Sequence, residues 1–347
     1  MAVNFKSLVM KLIVILLSFI SLVACRQHNV INIADFGAIP DDGKDDTEAF
    51  ATAFKNASKL KNPVLVLSPG QYDFILTDAM AAYESMIKAA LPGQERWMGP
   101  PPQGLEGWPT HKNTAIYLEN LKDFTLDGQG AVLMFHGLCQ AIRMDNCHNS
   151  CIKNLKINYK HAPYMVGKIL RAGETWIDVA VTNKKVEGGE PFIAFQMYDP
   201  TTLLPTSVET FAGVRSTECL DENILRLHVT QDDRGRDIPQ RVKEGHLLVM
   251  RHILSGYEPV EIREGNDILL ENIRIYTGAG MGILGVGTDN LTLRQVDISP
   301  ENASDIMSTT ADGTHFVGCR GTVTLDQCTM TGEGDDHFNL HGQYHFV

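Results

Sequence analysis

The sequence predicts an all-β solenoid, and three observations carry that reading. Apolar residues recur at offsets 0, 2, 5 and 7: Ile268, Leu270, Ile273 and Ile275, then Leu291, Leu293, Val296 and Ile298, then Val323, Leu325, Cys328 and Met330. The intervals between these runs are 23 and 32 residues, so loops of unequal length would project from coils of one design. Short alternating strands with Gly and Asn at their ends, and little helical periodicity, point to β coils rather than leucine-rich repeats. Ile152, Leu155 and Ile157 carry most of the pattern earlier, and Phe124 and Leu126 begin a similar strand before Asp127 to Gly130.

The chain opens on a segment that does not read as part of the fold. Lys6 and Lys11 precede an apolar run from Leu12 to Val23, which has the form of a secretory h-region. It closes on Leu22, Val23, Ala24 and Cys25, which resembles the bacterial lipobox. Residues 1–25 are therefore expected to be a lipoprotein-type signal with Cys25 as the lipidated residue. The implied location is the bacterial cell envelope, periplasm-facing or at the surface, with membrane contact through the lipid alone.

Val30 to Ala38 alternates like a strand and breaks at Pro40 to Gly43. Asp46 and Thr47 can then cap a helix in which Phe50, Ala53, Phe54, Ala57 and Leu60 share one face. Pro63 stops it, Val64 to Leu67 is a buried strand, and Ser68 to Tyr72 a turn. "DFGAIPDDGKDDTEAF" (35–50) followed by "LVLSPGQY" (65–72) resembles the N-terminal cap of the pectate-lyase-like right-handed parallel β-helices. In that resemblance the helix covers the first coil, whose strand edges would otherwise be open.

Between Tyr164 and Met250 the pattern changes to antiparallel-looking strands: Thr175 to Val181, Phe192 to Phe195, Ile224 to Val229 and Leu247 to Met250. Charged turns such as Asp232 to Arg236 separate them. The expected organisation is a cap with first coils over 28–163, an inserted β-barrel or sandwich module over 164–252, and coils bearing the site over 253–347. Glu95 to Trp108, rich in Gly and Pro, reads as a long loop. The chain stops at Gln343 to Val347 inside an apparent strand, which suggests a C-terminally truncated sequence.

A formal charge of −12, with no basic run, argues against nucleic acid and fits a polar, uncharged substrate better. Of seven cysteines, the six beyond Cys25 (Cys139, Cys147, Cys151, Cys219, Cys319 and Cys328) read as buried thiols. Cys147, His148 and Cys151 lack the second ligand pair of a zinc site, and no metal or cofactor is expected there.

The chemistry concentrates near the end. Asp312 precedes the adjacent pair Asp335 and Asp336 by 23 residues, one coil of the Ile268 to Leu291 repeat. Equivalent positions on successive coils lie about 4.8 Å apart, so the three carboxylates should share one patch. Like charges this close raise at least one pKa, which supplies an acid beside a base. Gly334 would give the freedom that lets both members of the pair face outward. His315, Asn339 and His341 alternate nearby and can bind sugar hydroxyls. On spacing alone, acid/base catalysis, structural turns and calcium binding all stay open.

The stretch "ADGTHFVGCRGTVTLDQCTMTGEGDDHFNLHGQY" (311–344) resembles the core motif of glycoside hydrolase family 110. That resemblance implies metal-independent, inverting release of terminal α-1,3-linked galactose, and it matches Asp312, Asp335 and Asp336 to the family's active-site aspartates. Two departures stand out: His337 and Phe338 replace small residues, and Gly313 replaces an Ala. The alternatives are a polygalacturonase-like hydrolase or lyase, which would need cations such as Arg320 beside the acids, and a non-catalytic glycan-binding surface β-helix.

Overall fold

The computed structural model describes residues 29–88, 113–211, 214–231, 235–302 and 305–342. The expected signal sequence with Cys25, the stretch from Glu95 to Trp108 expected to be a loop, and residues 343–347 lie outside them.

Two parallel sheets run side by side through the coils. One orders the strands Asn29–Asn32, Pro63–Val66, Thr125–His136, His148–Tyr159, Asn266–Ile275, Asp289–Arg294 and Arg320–Asp326. The other orders Thr114–Glu119, Gln140–Asp145, Val260–Arg263, Ile283–Val286, Thr314–Val317 and Phe338–His341. The register turns the apolar repeat into ladders. Ile31, Leu65, Leu126, Ile152, Leu270, Leu293 and Leu325 stand level on successive strands, all buried except Leu325 at the last. Each level buries apolar area at roughly 25 cal/mol per Å². The intervals read from the sequence are those of the register: Ile268 pairs with Leu291, and Leu291 with Val323.

The turns show why Asn is frequent. Asn120, Asn146, Asn154, Asn272 and Asn290 all adopt positive φ, between 49° and 57°. Asn tolerates that conformation better than other side chains with a Cβ. Their amides then bond from coil to coil, Asn146 to Asn120 at 2.6 Å and Asn272 to Asn154 at 2.8 Å.

The N-terminal helix spans Thr47–Ala57 and buries Phe50, Ala53, Phe54 and Ala57. Phe50 packs edge-on against Tyr72 and Phe74, and Phe54 against Phe124. Leu60 departs from expectation: it lies beyond the helix end and is exposed. The cap differs too, because Asp46 makes no side-chain cap and instead accepts the Asp73 N–H at 3.1 Å. Burial is the largest influence on that carboxyl, pushing it from 3.8 up to about 6. The folded state then holds a proton that the unfolded chain has already lost, so stability falls as pH rises from 3.8 through about 6. Asp46→Asn should flatten that slope, measured as the denaturant midpoint across the same window.

A second helix, Thr77–Lys88, was not expected from the sequence; it packs Met86 with Leu138, Ile253 and Ala279. Between Tyr159 and Val260 the chain forms a seven-stranded antiparallel sheet. Its order is Pro205–Phe211, Ala194–Tyr198, Leu247–Arg251, Tyr164–Ala172, Trp176–Val181, Ile224–Val229 and Val214–Asp221. It has its own core of Ile177, Phe195, Leu225 and Leu248. The coils close directly across this excursion, since Ile152 pairs with Leu270. All six described cysteines are free thiols. Only Cys139 and Cys147 are buried as expected; Cys151, Cys319 and Cys328 are half-buried, and Cys219 sits exposed on the sheet's edge strand.

Candidate active site

The turns that feed Thr314–Val317 and Phe338–His341 bring the candidate acids together. In this register His315 pairs with Asn339 and Val317 with His341. Gly313 N–H donates to Asp336 O at 2.9 Å, which carries the register back into the turn. Asp312 is therefore level with Asp336, with Asp335 one residue earlier. The 23-residue coil expected from the Ile268 repeat is one residue short here. Asp312 is buried at 5% exposure, whereas Asp335 and Asp336 are both exposed.

Gly334 serves the site differently from expectation. It is not among the positive-φ glycines. A Cβ there would meet Thr310 O at 2.4 Å and Arg251 Nη1 at 2.7 Å, so close approach is what excludes a side chain. Arg251 reaches this point from the end of the antiparallel strand Leu247–Arg251. It is 1% exposed and donates through Nη1 to Thr310 O at 3.0 Å and Gly334 O at 2.8 Å. One buried guanidinium thus ties together the turns that carry Asp312 and Asp335.

The candidate ligands also bond among themselves. Asp312 Oδ2 lies 2.5 Å from His315 Nδ1, and His315 Nε2 lies 2.9 Å from His341 Nε2. His341 Nδ1 lies 2.9 Å from Gly342 O. Asn339 Nδ2 is 3.5 Å from Asp336 Oδ2, a long contact that leaves the amide available. Among the described residues, no group of three or more His, Cys, Asp or Glu side chains is placed to hold a metal ion.

Sequence reasoning missed two members of this neighbourhood, Arg251 and Glu333. Glu333 has a fully buried side chain whose Oε2 lies 2.7 Å from His337 Nδ1. Burial, the largest influence, pushes its carboxyl above 4.5, and Oε1 has no hydrogen-bond partner. A Cβ at position 313 would meet His337 O at 2.8 Å and Glu333 Cγ at 3.1 Å. The two departures Gly313 and His337 are therefore one structural unit built around Glu333. Arg320 donates to Asp289 at 2.7 Å, so this cation is already engaged by a carboxylate of the neighbouring coil.

No protein-family model matches the chain. Among solved structures it is similar to the family 28 exopolygalacturonase of Yersinia enterocolitica: 13% identical, TM-score 0.41, covering 90% of this chain and 45% of that one. The exopolygalacturonase of Thermotoga maritima is similar at 14% identity and TM-score 0.39, covering 91% and 54%. The coil architecture rests on the strand register itself. Among curated proteins the chain is 26% identical over 334 residues to α-1,3-galactosidase B of Bacteroides thetaiotaomicron, covering 90% of this chain and 51% of the relative. It is 25% identical over 333 residues to α-1,3-galactosidase A of Bacteroides fragilis, covering 91% and 52%. The chain spans about half the length of the curated relatives it matches. The resemblance read from the closing motif thus extends along about 90% of this chain, to relatives named α-1,3-galactosidase.

Proposed function

We propose that the protein is an exported exo-glycosidase that hydrolyses terminal α-1,3-linked galactose with inversion, using Asp312, Asp335 and Asp336 as its acid/base set. The observation that carries this reading is the placement of a buried Asp312 level with an exposed Asp336 and beside Asp335. The setting is a chain similar over most of its length to α-1,3-galactosidases. One aspartic acid protonates the departing glycosidic oxygen, while another carboxylate takes a proton from the water that attacks the opposite face. Burial and exposure separate the two environments, as such a division requires. The ring nitrogens of His315 and His341 have protein partners, so Asn339 is the sugar-hydroxyl ligand this reading retains.

The same reading takes the Thr47–Ala57 helix as a cap and the antiparallel sheet as a module inserted between coils. Lipidation at Cys25 would hold the enzyme on the cell envelope. The polygalacturonase-like alternative needs a cation free for uronate carboxylates near the acids, and the engagement of Arg320 with Asp289 disfavours it.

The test is release of free galactose from α-1,3-linked galactosides, set against release of uronate from pectic oligomers. Galactose release is the expected result. Cleavage of the pectic oligomers alone would transfer the protein to the alternative class.

A further inference from the structure

Where the chain leaves the coils for the antiparallel sheet, a lysine sits in a setting that does not suit a charged ammonium. Lys184 follows the strand Trp176–Val181 and is half-buried. Its Nζ donates to Tyr83 Oη at 2.6 Å, on the helix Thr77–Lys88, and to Ala162 O at 2.5 Å, in the exit from the coils. Both acceptors are uncharged, and among the described residues no carboxylate pairs with Lys184. The Tyr83 ring offers a cation little as well. Nζ is 5.2 Å from the ring centre and 2.6 Å from its hydroxyl, so it lies out along the C–O axis and not over the π face.

An ammonium has three N–H groups to satisfy, whereas a neutral amine has two and a lone pair. Two acceptors therefore match the amine. Burial acts in the same direction, drawing Lys184 from 10.5 down to about 7. The titratable groups that face it are Tyr83 from the helix, His161 from the exit and His252 from the return to the coils. Each is held in its neutral form. Burial pushes Tyr83 up to about 12, and burial first, with the Lys184 charge second, lowers both histidines. His161 stacks on the Tyr83 ring at 5.4 Å between centres and is exposed, so this end of the cluster meets solvent.

We propose that Lys184 is a reactive amine that captures small aldehydes as an imine, with the Tyr83 hydroxyl moving protons for it. A desolvated lysine among neutral groups is the form in which this side chain attacks a carbonyl carbon. The Nζ lone pair bonds to the aldehyde carbon as the carbonyl π pair moves to its oxygen. Tyr83 Oη–H gives that oxygen a proton and takes back the one that the nitrogen sheds. The nitrogen then sheds its second proton to the hydroxyl, which leaves as water while the C–N double bond forms. Amine and aldehyde give imine and water, and nothing is oxidised or reduced. The site is independent of the aspartates and of the glycosidase reading.

Trapping the imine on the whole wild-type protein tests this, with propionaldehyde as the probe, cyanoborohydride as the trap and peptide mass mapping as the readout. At pH 7 about half of Lys184 is amine, against on the order of one part in 10³ of a free lysine whose pKa is about 10.4. Lys184 should therefore be alkylated about 10²-fold faster than the exposed lysines at that pH. Its rate should level off above about pH 8, while theirs still climb toward about pH 10. Tyr83→Phe keeps the ring beneath His161 and removes only the hydroxyl. It should slow labelling of Lys184 about 10²-fold, the low end of what a positioned proton donor contributes, and leave the exposed lysines unchanged. Labelling of Lys184 no faster than that of the exposed lysines, a rate still climbing with theirs, or full speed in Tyr83→Phe would each overturn the proposal.

Discussion

Replacing Asp312 by Asn is expected to lower kcat on an α-1,3-linked galactoside about 10³-fold, within the range of about 10²–10⁴ for a positioned general acid or base. The variant keeps the shape of the side chain and can still contact His315, so the fold should survive. What it loses is a titratable oxygen: a nitrophenyl substrate recovers most of the rate where Asp312 is the acid and none of it where Asp312 is the base. Asp335→Asn and Asp336→Asn, compared on the same two substrates, divide the remaining roles. Whichever is the base should lose activity on both substrates alike, since water activation does not depend on the leaving group. Steady-state kinetics on the two substrates, beside a thermal melt, separate these outcomes. Full activity in all three variants would end the acid/base account.

Replacing Arg251 by Met is expected to destabilise the protein by about 2–6 kcal/mol, at about 1–3 kcal/mol for each of two buried acceptors left unsatisfied. Arg251 is almost fully buried, and it donates to Thr310 O and Gly334 O in the turns that carry Asp312 and Asp335. Without it, two carbonyls are left in a buried setting with a thioether that cannot donate. Activity should fall further than stability alone explains, because the acids would no longer be held level. Lys keeps the charge but not the planar fork, so Arg251→Lys should recover only part of the loss. A denaturant midpoint equal to wild type would show that the antiparallel sheet does not brace the site through this residue.

Much of the solenoid was legible because its repeat and its register are the same physical fact. Ile268 over Leu291 and Leu291 over Val323 are ladder partners because each buries the same side of a coil. The same rule failed by one residue at the site. Coil length there is set by the turn before Phe338–His341, so Asp312 meets Asp336 at its level and not Asp335. No strand periodicity could report that. Arg251 was illegible for a different reason: its two acceptors are backbone carbonyls, which carry no sequence signal, and it ends an apolar strand like any other flanking residue. Glu333 lay inside the quoted motif, yet only the structure shows its oxygen bonded to His337 and its stem against Gly313. The Thr47–Ala57 helix was visible in its apolar spacing. The Thr77–Lys88 helix buries only Ala79 and Met86, too thin a stripe to stand out.

The account is tested most directly by following the anomer of the sugar as it is released. Proton NMR during early hydrolysis of an α-1,3-linked galactoside by the wild-type protein should show β-galactose first, with the α form appearing only as the sugar mutarotates. That is the outcome of a single displacement in which one carboxyl acts as acid and another delivers water. If α-galactose appeared first, the aspartates would be working through a covalent intermediate, and the division of labour proposed for Asp312, Asp335 and Asp336 would be contradicted.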